Sequence, residues 1–333
     1  MRKLLVICGP TATGKTELGM YLAKMLAAGP KGSGPGGEIV SADSRQIYKG
    51  MDIGTGKDLP KKSKIQKLQD SKLEYGFFNI TGVRMWGYDI VEPNEDFSVA
   101  RYINTANLII KDIWRRNKLP ILVGGTGFYI KGVVDGIPTA SVPKSLRIRE
   151  KFKDKLVKEL QDVLRKFDAK RFASMNESDK NNPRRLVRAI EIYKSKYKFE
   201  YKKHSEPNFN TLFIGLTTTK QILDRRIEKR VRNRLQVGFE DEIRNLLKAG
   251  ITWDNQAMQA LGYRQWQEFF TTSAKSVRNQ REFAIESWIR SEKQYAKRQL
   301  IWFKKDNRIK WFDIKEKDYV VRVEKLVREW HNN

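Results

Sequence analysis

The run Leu4-Leu5-Val6-Ile7-Cys8, followed at once by Gly9-Pro10-Thr11-Ala12-Thr13-Gly14-Lys15-Thr16, constrains this chain more than any other feature. A short, unbroken apolar run bounded by glycine reads as a strand buried on both faces, the habit of parallel sheets. The pattern G-x-x-x-x-G-K-T after such a strand is a phosphate-binding loop. Its glycines let the backbone curl until successive amides face inward, and the helix that follows points its positive end at the same spot. Lys15 adds a point charge for phosphate, and the Thr16 hydroxyl is placed to hold Mg²⁺. Leu18, Tyr21, Leu22 and Met25 recur at helical spacing behind the loop, so strand, loop and helix are all present.

The same alternation continues. Residues 38–42 read as a second strand, ending at Asp43-Ser44-Arg45-Gln46. Val99, Tyr102, Ile103, Ala106, Ile110 and Ile113 mark a helix that Ser98 can cap. Residues 120–123 are another buried strand, closed by Gly124-Gly125-Thr126-Gly127. This predicts an α/β fold: a P-loop NTPase-like parallel sheet core with its site along the C-terminal edge of the strands. Segments 29–37, rich in glycine, and 57–76, rich in lysine, read as a flexible loop and a solvated excursion.

After Pro138 the character changes. Residues 144–201 are charged and helical without strand signals, and Asn182-Pro183 opens one helix with a cap and a first-turn proline. Leu186, Ala189, Ile190 and Tyr193 form its apolar side. Residues 212–216 return as a strand, so 1–138 and 209–333 are expected to form the α/β core and 139–208 a mostly helical insertion. Residues 221–249 read as helix with a break at Gly238 and a stop at Gly250, 281–304 as a further helix, and 309–330 as a last short strand and helix.

Lysine plus arginine number 66 against 39 acidic residues, a formal charge of +27. An excess of that size fits a polyanionic partner, nucleic acid or an anionic membrane, or else a basic proteome or a solubility effect. No run of about 18 apolar residues exists, and the first strand is too short for a signal peptide, which points to the cytoplasm and away from a membrane. The single cysteine, Cys8, excludes an intramolecular disulfide and a Cys-rich zinc site, and reads as a small buried hydrophobe. His204 and His331 lie far apart in polar surroundings, so the chemistry rests on Asp, Thr, Lys, Arg and Mg²⁺.

Asp43 could hold a metal-bound water, take a proton from a nucleophile, or cap the next turn. Gly124-Gly125-Thr126 could be a second backbone nest or simply a tight turn. Arg226, Arg230 and Arg234 fall at i, i+4 and i+8 beside the apolar stripe Leu223, Ile227, Val231 and Leu235. They suit diphosphate or RNA backbone, or form a solvated face. Arg184, Arg185 and Arg188 begin the proline-opened helix, where cations oppose the helix dipole unless a phosphate neutralises them. Tyr295, Lys297, Arg298, Gln299, Trp302, Phe303 and Lys304 mix cations, amides and rings as RNA-binding surfaces do, although Trp302 and Phe303 suit a core equally.

Together these blocks resemble the tRNA dimethylallyltransferases (tRNA isopentenyltransferases) of bacterial type. The landmarks are GPTATGKT at 9–16, SADSRQIYKGMDIGT at 41–55, LPILVGGTGFYIKG at 119–132, NNPRRLVRAIEIY at 181–193, RIEKRV at 226–231, QALGYR at 259–264 and QYAKRQLIWFK at 294–304. The resemblance implies transfer of a dimethylallyl group from dimethylallyl diphosphate to N6 of the adenosine 3′ of the anticodon, in tRNAs reading codons that start with U. It turns the loop at Gly9, Pro10, Thr11, Ala12, Thr13, Gly14, Lys15 and Thr16 from a nucleoside-triphosphate site into a diphosphate site, with Mg²⁺ at Thr16. Asp43 matches the family's general base, Thr11 a residue near the reacting groups, and Arg230 an arginine on the diphosphate.

Contacts to the tRNA anticodon stem-loop are implied for Asp43, Ser44, Arg45, Gln46, Thr126, Arg147, Arg184, Arg185, Arg188, Gln259, Gly262, Tyr263, Arg264, Lys297, Arg298, Gln299 and Lys304. The insertion would be the clamp on the stem-loop, and the protein a monomer. Departures from the family pattern are Met85-Trp86-Gly87-Tyr88 ahead of Asp89-Ile90, where a histidine is frequent, and the expanded segments 29–37 and 57–84. The competing readings are a small-molecule kinase, an enzyme prenylating free adenine nucleotides, and an RNA-binding protein with a dead loop. The first two do not need the basic insertion or the QYAKRQ block, and the third does not need Lys15, Thr16 and Asp43 intact.

Overall fold

The structure, a computed structural model, describes residues 2–27, 36–57, 59–60, 63–68, 75–196, 209–272 and 277–333. Most of the glycine-rich segment 29–37, part of the lysine-rich stretch 57–76, and His204 lie outside the described residues.

Seven strands, β1 (Lys3–Cys8), β2 (Gly37–Ser41), β3 (Phe77–Ile80), β4 (Val83–Trp86), β5 (Leu119–Gly124), β6 (Asn210–Thr217) and β7 (Ile309–Asp313), form one sheet in the order β3-β4-β2-β5-β1-β6-β7. All neighbours are parallel except the β3–β4 hairpin, which the sequence reading did not anticipate. Cys8 stands opposite Gly124 on one side and Gly215 on the other, so β1 and β5 end level and β6 runs two residues further. Ser41 stands opposite Val123, which brings the chain after β2 to the same edge. Four chain segments therefore leave the sheet side by side, and the site is built from them.

The unbroken apolar run of β1 is buried because both faces of the sheet are covered. Leu4, Val6 and Cys8 pack into one core with the helix Val99–Arg115, and Leu5 and Ile7 into the other with the helix Lys15–Ala27. This is the two-residue period of a strand, and each such aliphatic side chain contributes about 1.5–3 kcal/mol of burial. Ser98 caps its helix as expected, accepting from Arg101 N at 3.2 Å. Tyr21, expected on an apolar face, is exposed instead, with its hydroxyl donating to Glu324. Lys57, read as part of a solvated excursion, is buried: its ammonium donates to Tyr48 O at 2.7 Å, to Asp52 Oδ1 at 2.5 Å and to Asp89.

The chain divides into two compact units, Met1–Asp135 with Pro207–Asn333, and Gly136–Glu206. In the second, the helices Leu146–Lys151, Val157–Phe167, Ala169–Ser174, Glu177–Lys180 and Pro183–Lys196 enclose a core of Phe152, Leu160, Leu164, Phe172, Met175, Leu186, Ala189 and Ile190. Asn182 Oδ1 accepts from Arg185 N at 3.2 Å, satisfying a first-turn amide of the proline-opened helix. In the first unit the helices Lys220–Gln236 and Phe239–Lys248 meet at Gly238, and the long helix Val277–Phe303 follows. Among the described residues no helix is long and apolar enough to cross a membrane.

Candidate active site

Beyond β1 the backbone turns at Gly9, whose φ of +135° and close approach to the Leu216 carbonyl exclude any side chain. The loop closes on itself through Thr13 Oγ1, which donates to Pro10 O at 2.9 Å, and the helix begins at Lys15. The Lys15 ammonium donates to Pro10 O at 2.6 Å. Burial, and then the neighbouring Arg230 guanidinium, lower its pKa to about 8 against the opposing pull of Asp43 and Cys8. Burial also pushes the Cys8 thiol up to about 12, so it stays an inert hydrophobe.

Thr11 is fixed from two sides. Its amide donates to Gln299 Oε1 at 2.8 Å, and its hydroxyl accepts from Arg230 Nη1 at 3.0 Å. Gln299 also donates through Nε2 to Gly125 O at 2.9 Å. It is thus a strut between the phosphate loop and the turn after β5, and only 6% exposed. Its amide is engaged by the two loops, and the side chain also lines the cavity. Arg230 donates through Nη2 to Gly56 O at 3.3 Å. Arg234, one turn on, is buried with its guanidinium 3.6 Å from Glu292 and over the Trp288 ring. Arg226 is exposed, so two of the three aligned arginines turn inward and one does not.

Asp43 lies two residues beyond β2, and Oδ1 accepts from Arg45 N at 2.8 Å. It does cap its own turn, and it faces the cavity as well. Thr126 locks that turn to the end of β5: Thr126 N donates to Ala42 O at 3.1 Å, and Thr126 Oγ1 accepts from Ser44 N at 3.2 Å. The Thr126 hydroxyl also hydrogen-bonds to Tyr295, whose phenol is pushed up to about 12 by burial and by the Asp43 charge. Arg45 reaches across to Gln256 O at 2.9 Å, and Gln46 accepts from Ser41 Oγ at 2.8 Å while donating to Gly56 O at 2.9 Å.

These groups converge on one cavity of about 290 Å³, into which Thr11, Lys15, Thr16, Asp43, Arg230 and Tyr295 face. Ser44, Arg45, Gln46, Gln259, Arg264 and Arg298 line it too. Not every expected residue reaches it. Tyr263 is 0% exposed, with its hydroxyl donating to Glu242 at 2.5 Å, and Gly262 packs against the Trp288 ring. Both are core residues of the QALGYR block rather than surface for RNA. Thr126 stands behind Asp43 instead of lining the cavity, and Lys297 and Lys304 are exposed outside it.

In the second unit Arg147 and Arg184 are exposed, and Arg185 pairs with Asp179. Arg188 is spent internally. It donates to Thr139 O at 2.9 Å, to Val142 O at 2.8 Å and to Glu191 Oε2 at 3.0 Å. Its expected contact with RNA gives way to a role in holding the entry to this unit, because Glu191 is buried and needs the charge. Burial opposes ionisation of that carboxyl, but Arg149, Arg188 and the Ser145 amide hold its pKa below the usual range.

Glu292 and Gly56 went unnamed in the sequence, Tyr295 figured only in a cationic-aromatic surface, and Gly54 and Thr55 only inside the 41–55 landmark. Gly54, Thr55 and Gly56 form one wall, and Glu292 and Tyr295 line the side that Gln299 closes. The spacing 292, 295 and 299 (i, i+3, i+7) on a long helix was the available signal. Apart from the landmark at 41–55, which ends on Gly54-Thr55, and the G-T-G triplet, nothing local marked 54–56 as a wall.

A family model described as IPP transferase matches residues 46–306. The tRNA dimethylallyltransferase of Carboxydothermus hydrogenoformans is 35% identical over 336 residues, spanning 98% of this chain and 97% of its own. The solved full-length tRNA isopentenylpyrophosphate transferase of Bacillus halodurans superposes with a TM-score of 0.66 at 32% identity, covering 99% of this chain and 96% of that one. A eukaryotic dimethylallyltransferase solved acting on tRNA shares the fold at a TM-score of 0.73 and 23% identity, covering 98% of this chain and 78% of that one. With a model match over most of its length and relatives similar from end to end, the chain belongs to the IPP transferase family.

Proposed function

We propose that this protein transfers the dimethylallyl group of dimethylallyl diphosphate to N6 of the adenosine 3′ of the anticodon, in tRNAs reading codons that start with U, and releases diphosphate. The observation that carries the reading is the convergence of Asp43, Thr11, Lys15, Thr16 and Arg230 on one cavity. An exocyclic amine on an aromatic base is a poor nucleophile, so a proton must leave as the N–C bond forms. Asp43 accepts that proton. The allylic C–O bond breaks with its electron pair passing to the diphosphate. Lys15, the Arg230 guanidinium and the amides at the helix start stabilise the charge that develops there. The allylic carbon tolerates positive charge, so the remaining task of the walls is to align the reactants and exclude water.

Mg²⁺ fits the donor set. The Thr16 hydroxyl and the Asp43 carboxylate face the same cavity, and no cluster of three or more acidic, Cys or His ligands occurs among the described residues. Such a sparse set suits an ion that keeps its waters and takes phosphate oxygens. Thr16 would hold it, and when bound it supplies positive charge to the leaving diphosphate.

The adenosine must leave its loop to reach the cavity. Arg45, Gln259, Arg264 and Arg298 at the cavity, with Lys297 and Lys304 beyond it, are the cations and amides proposed to meet the RNA there. Arg147, Arg184 and Arg185 are proposed to take stem-loop phosphates. Action as a monomer belongs to this reading, and the tRNA substrate is the ground for proposing a cytoplasmic reaction. The test offers equal amounts of an unmodified anticodon stem-loop RNA, AMP and ATP with dimethylallyl diphosphate and Mg²⁺. Prenylated adenosine in the RNA alone is expected. Prenylated AMP, or cleaved ATP without prenyl transfer, would move the protein to another class.

A further inference from the structure

The wall Gly54-Thr55-Gly56 belongs to no strand or helix, yet charge fixes both ends of its segment. At its start one carboxylate, Glu242 on the helix Phe239–Lys248, accepts three successive backbone amides. Asp52 N and Ile53 N donate to Oε2 at 2.8 and 2.7 Å, and Gly54 N donates to Oε1 at 3.0 Å. The Tyr263 hydroxyl donates to the same Oε1 at 2.5 Å. Successive amides converging on an anion make a nest of the kind that binds phosphate, and here a side chain of the protein fills it. At the far end Lys57 is buried on Tyr48 O, Asp52 and Asp89. Between them Gly54 is sandwiched so closely by Phe239 and Tyr263 that a Cβ would collide with both rings.

This wall carries Arg230. The Gly56 carbonyl accepts from Arg230 Nη2 at 3.3 Å and from Gln46 Nε2 at 2.9 Å. The Gly56 Cα lies so near that a Cβ would strike the guanidinium groups of Arg230 and Arg234. Arg230 in turn reaches Thr11 Oγ1 at 3.0 Å. A continuous path therefore runs from Glu242 through the amides of 52–54 and the Gly56 carbonyl to Arg230 and the phosphate loop.

We propose that Glu242 is a positioning residue for Arg230: its carboxylate sets the backbone of 52–56 and, through Gly56 O, aims the guanidinium at the diphosphate site. The inference rests on the proposed role of Arg230 at the leaving diphosphate. Glu242 touches no reacting atom and does not line the cavity. The chemistry demands a carboxylate, because only a group with acceptors on both oxygens and no hydrogen can take three amides and a hydroxyl. Glutamine has the same length, but in either orientation its NH₂ faces donors.

The test is a double-mutant cycle of Glu242→Gln and Arg230→Ala, read by calorimetric binding of inorganic pyrophosphate with Mg²⁺ and by prenyl-transfer kinetics. With Arg230 present, Glu242→Gln is expected to weaken pyrophosphate about tenfold and to lower kcat about 10–100-fold, the scale of an ångström-sized misplacement. Stem-loop RNA affinity should stay within about twofold. In the Arg230→Ala background the same substitution should cost no more than about twofold, since the group it positions is gone. An equal loss in both backgrounds, no loss in either, or a loss confined to RNA binding would overturn the proposal. Should Glu242→Gln fail to fold, Glu242→Asp, which withdraws the carboxylate by one methylene, enters the same cycle with the same criteria. If the unmutated protein prenylates no RNA, the functional reading fails by itself, and the pyrophosphate arm still decides whether Glu242 acts through Arg230.

Discussion

Lys15 should make diphosphate binding fade above pH 8. Its ammonium titrates at about 8 in the free protein, mainly because burial disfavours the charge and secondly because Arg230 repels it. A diphosphate against it favours the charged form, so the complex holds its proton to higher pH. Binding above pH 8 therefore takes up a proton and grows weaker as pH rises. The dissociation constant scales as 1 + 10^(pH − 8), about tenfold weaker at pH 9 than at pH 7, with about 0.9 proton taken up at pH 9 and about 0.1 at pH 7. Stability of the free protein has the opposite trend. The folded pKa lies below the unfolded value of about 10.4, so stability is lost as pH falls from there through about 8, where the fold must carry a buried charge. The assay is calorimetric titration of dimethylallyl diphosphate at pH 7, 8 and 9, in paired buffers of different ionisation enthalpy. Lys15→Arg is the control, because arginine stays charged throughout and should bind without this pH dependence. Flat affinity and no proton uptake at pH 9 in the unmutated protein would show that Lys15 does not titrate against the diphosphate.

Gln299→Ala removes the strut between Thr11 N and Gly125 O. It should raise KM for dimethylallyl diphosphate about tenfold while leaving stem-loop RNA affinity unchanged, and the reverse pattern in separate titrations would make Gln299 an RNA contact rather than a strut. Arg188→Ala should lower the stability of its unit by about 2–4 kcal/mol, because it strips buried Glu191 of one partner and frees two carbonyls. Thermal unfolding with no shift would count against that. Arg184→Ala, by contrast, should spare stability and flatten the salt dependence of RNA binding by about one unit of slope, which binding isotherms at several salt concentrations would check.

The phosphate loop, the strands around it and the cap at Ser98 were legible because each depends on local rules: an apolar run, a glycine pattern, a side-chain oxygen three residues before an amide. Arg230 was legible through helical spacing, although spacing could not tell it from Arg226, which the fold leaves in solvent. What escaped depends on which partners the fold brings to a side chain, near or far in sequence. Lys57 sits in a lysine-rich stretch and reads as solvated, yet Tyr48, Asp52 and Asp89 bury it. Tyr263 and Gly262 stand in a block that the resemblance assigns to RNA, but Glu242 and Trp288 claim them for the core. Arg188 was expected to meet phosphate because cations at a helix start need an anion. The anion it found was Glu191, one turn along the same helix. The β3–β4 hairpin follows a stretch too polar for strand periodicity to stand out, and its pairing with β2 is a property of the sheet.

In the proposed function, Asp43 and the phosphate loop serve one prenyl transfer to RNA. Single-turnover transfer from isotopically labelled dimethylallyl diphosphate to an unmodified anticodon stem-loop, at saturating RNA and with Mg²⁺, tests it most directly, comparing the unmutated protein with Asp43→Ala. Label is expected on adenosine N6 with the unmutated protein, at a rate about 10²–10⁴-fold lower with Asp43→Ala at equal RNA occupancy. Label absent from the RNA, or an undiminished rate in Asp43→Ala, would contradict it.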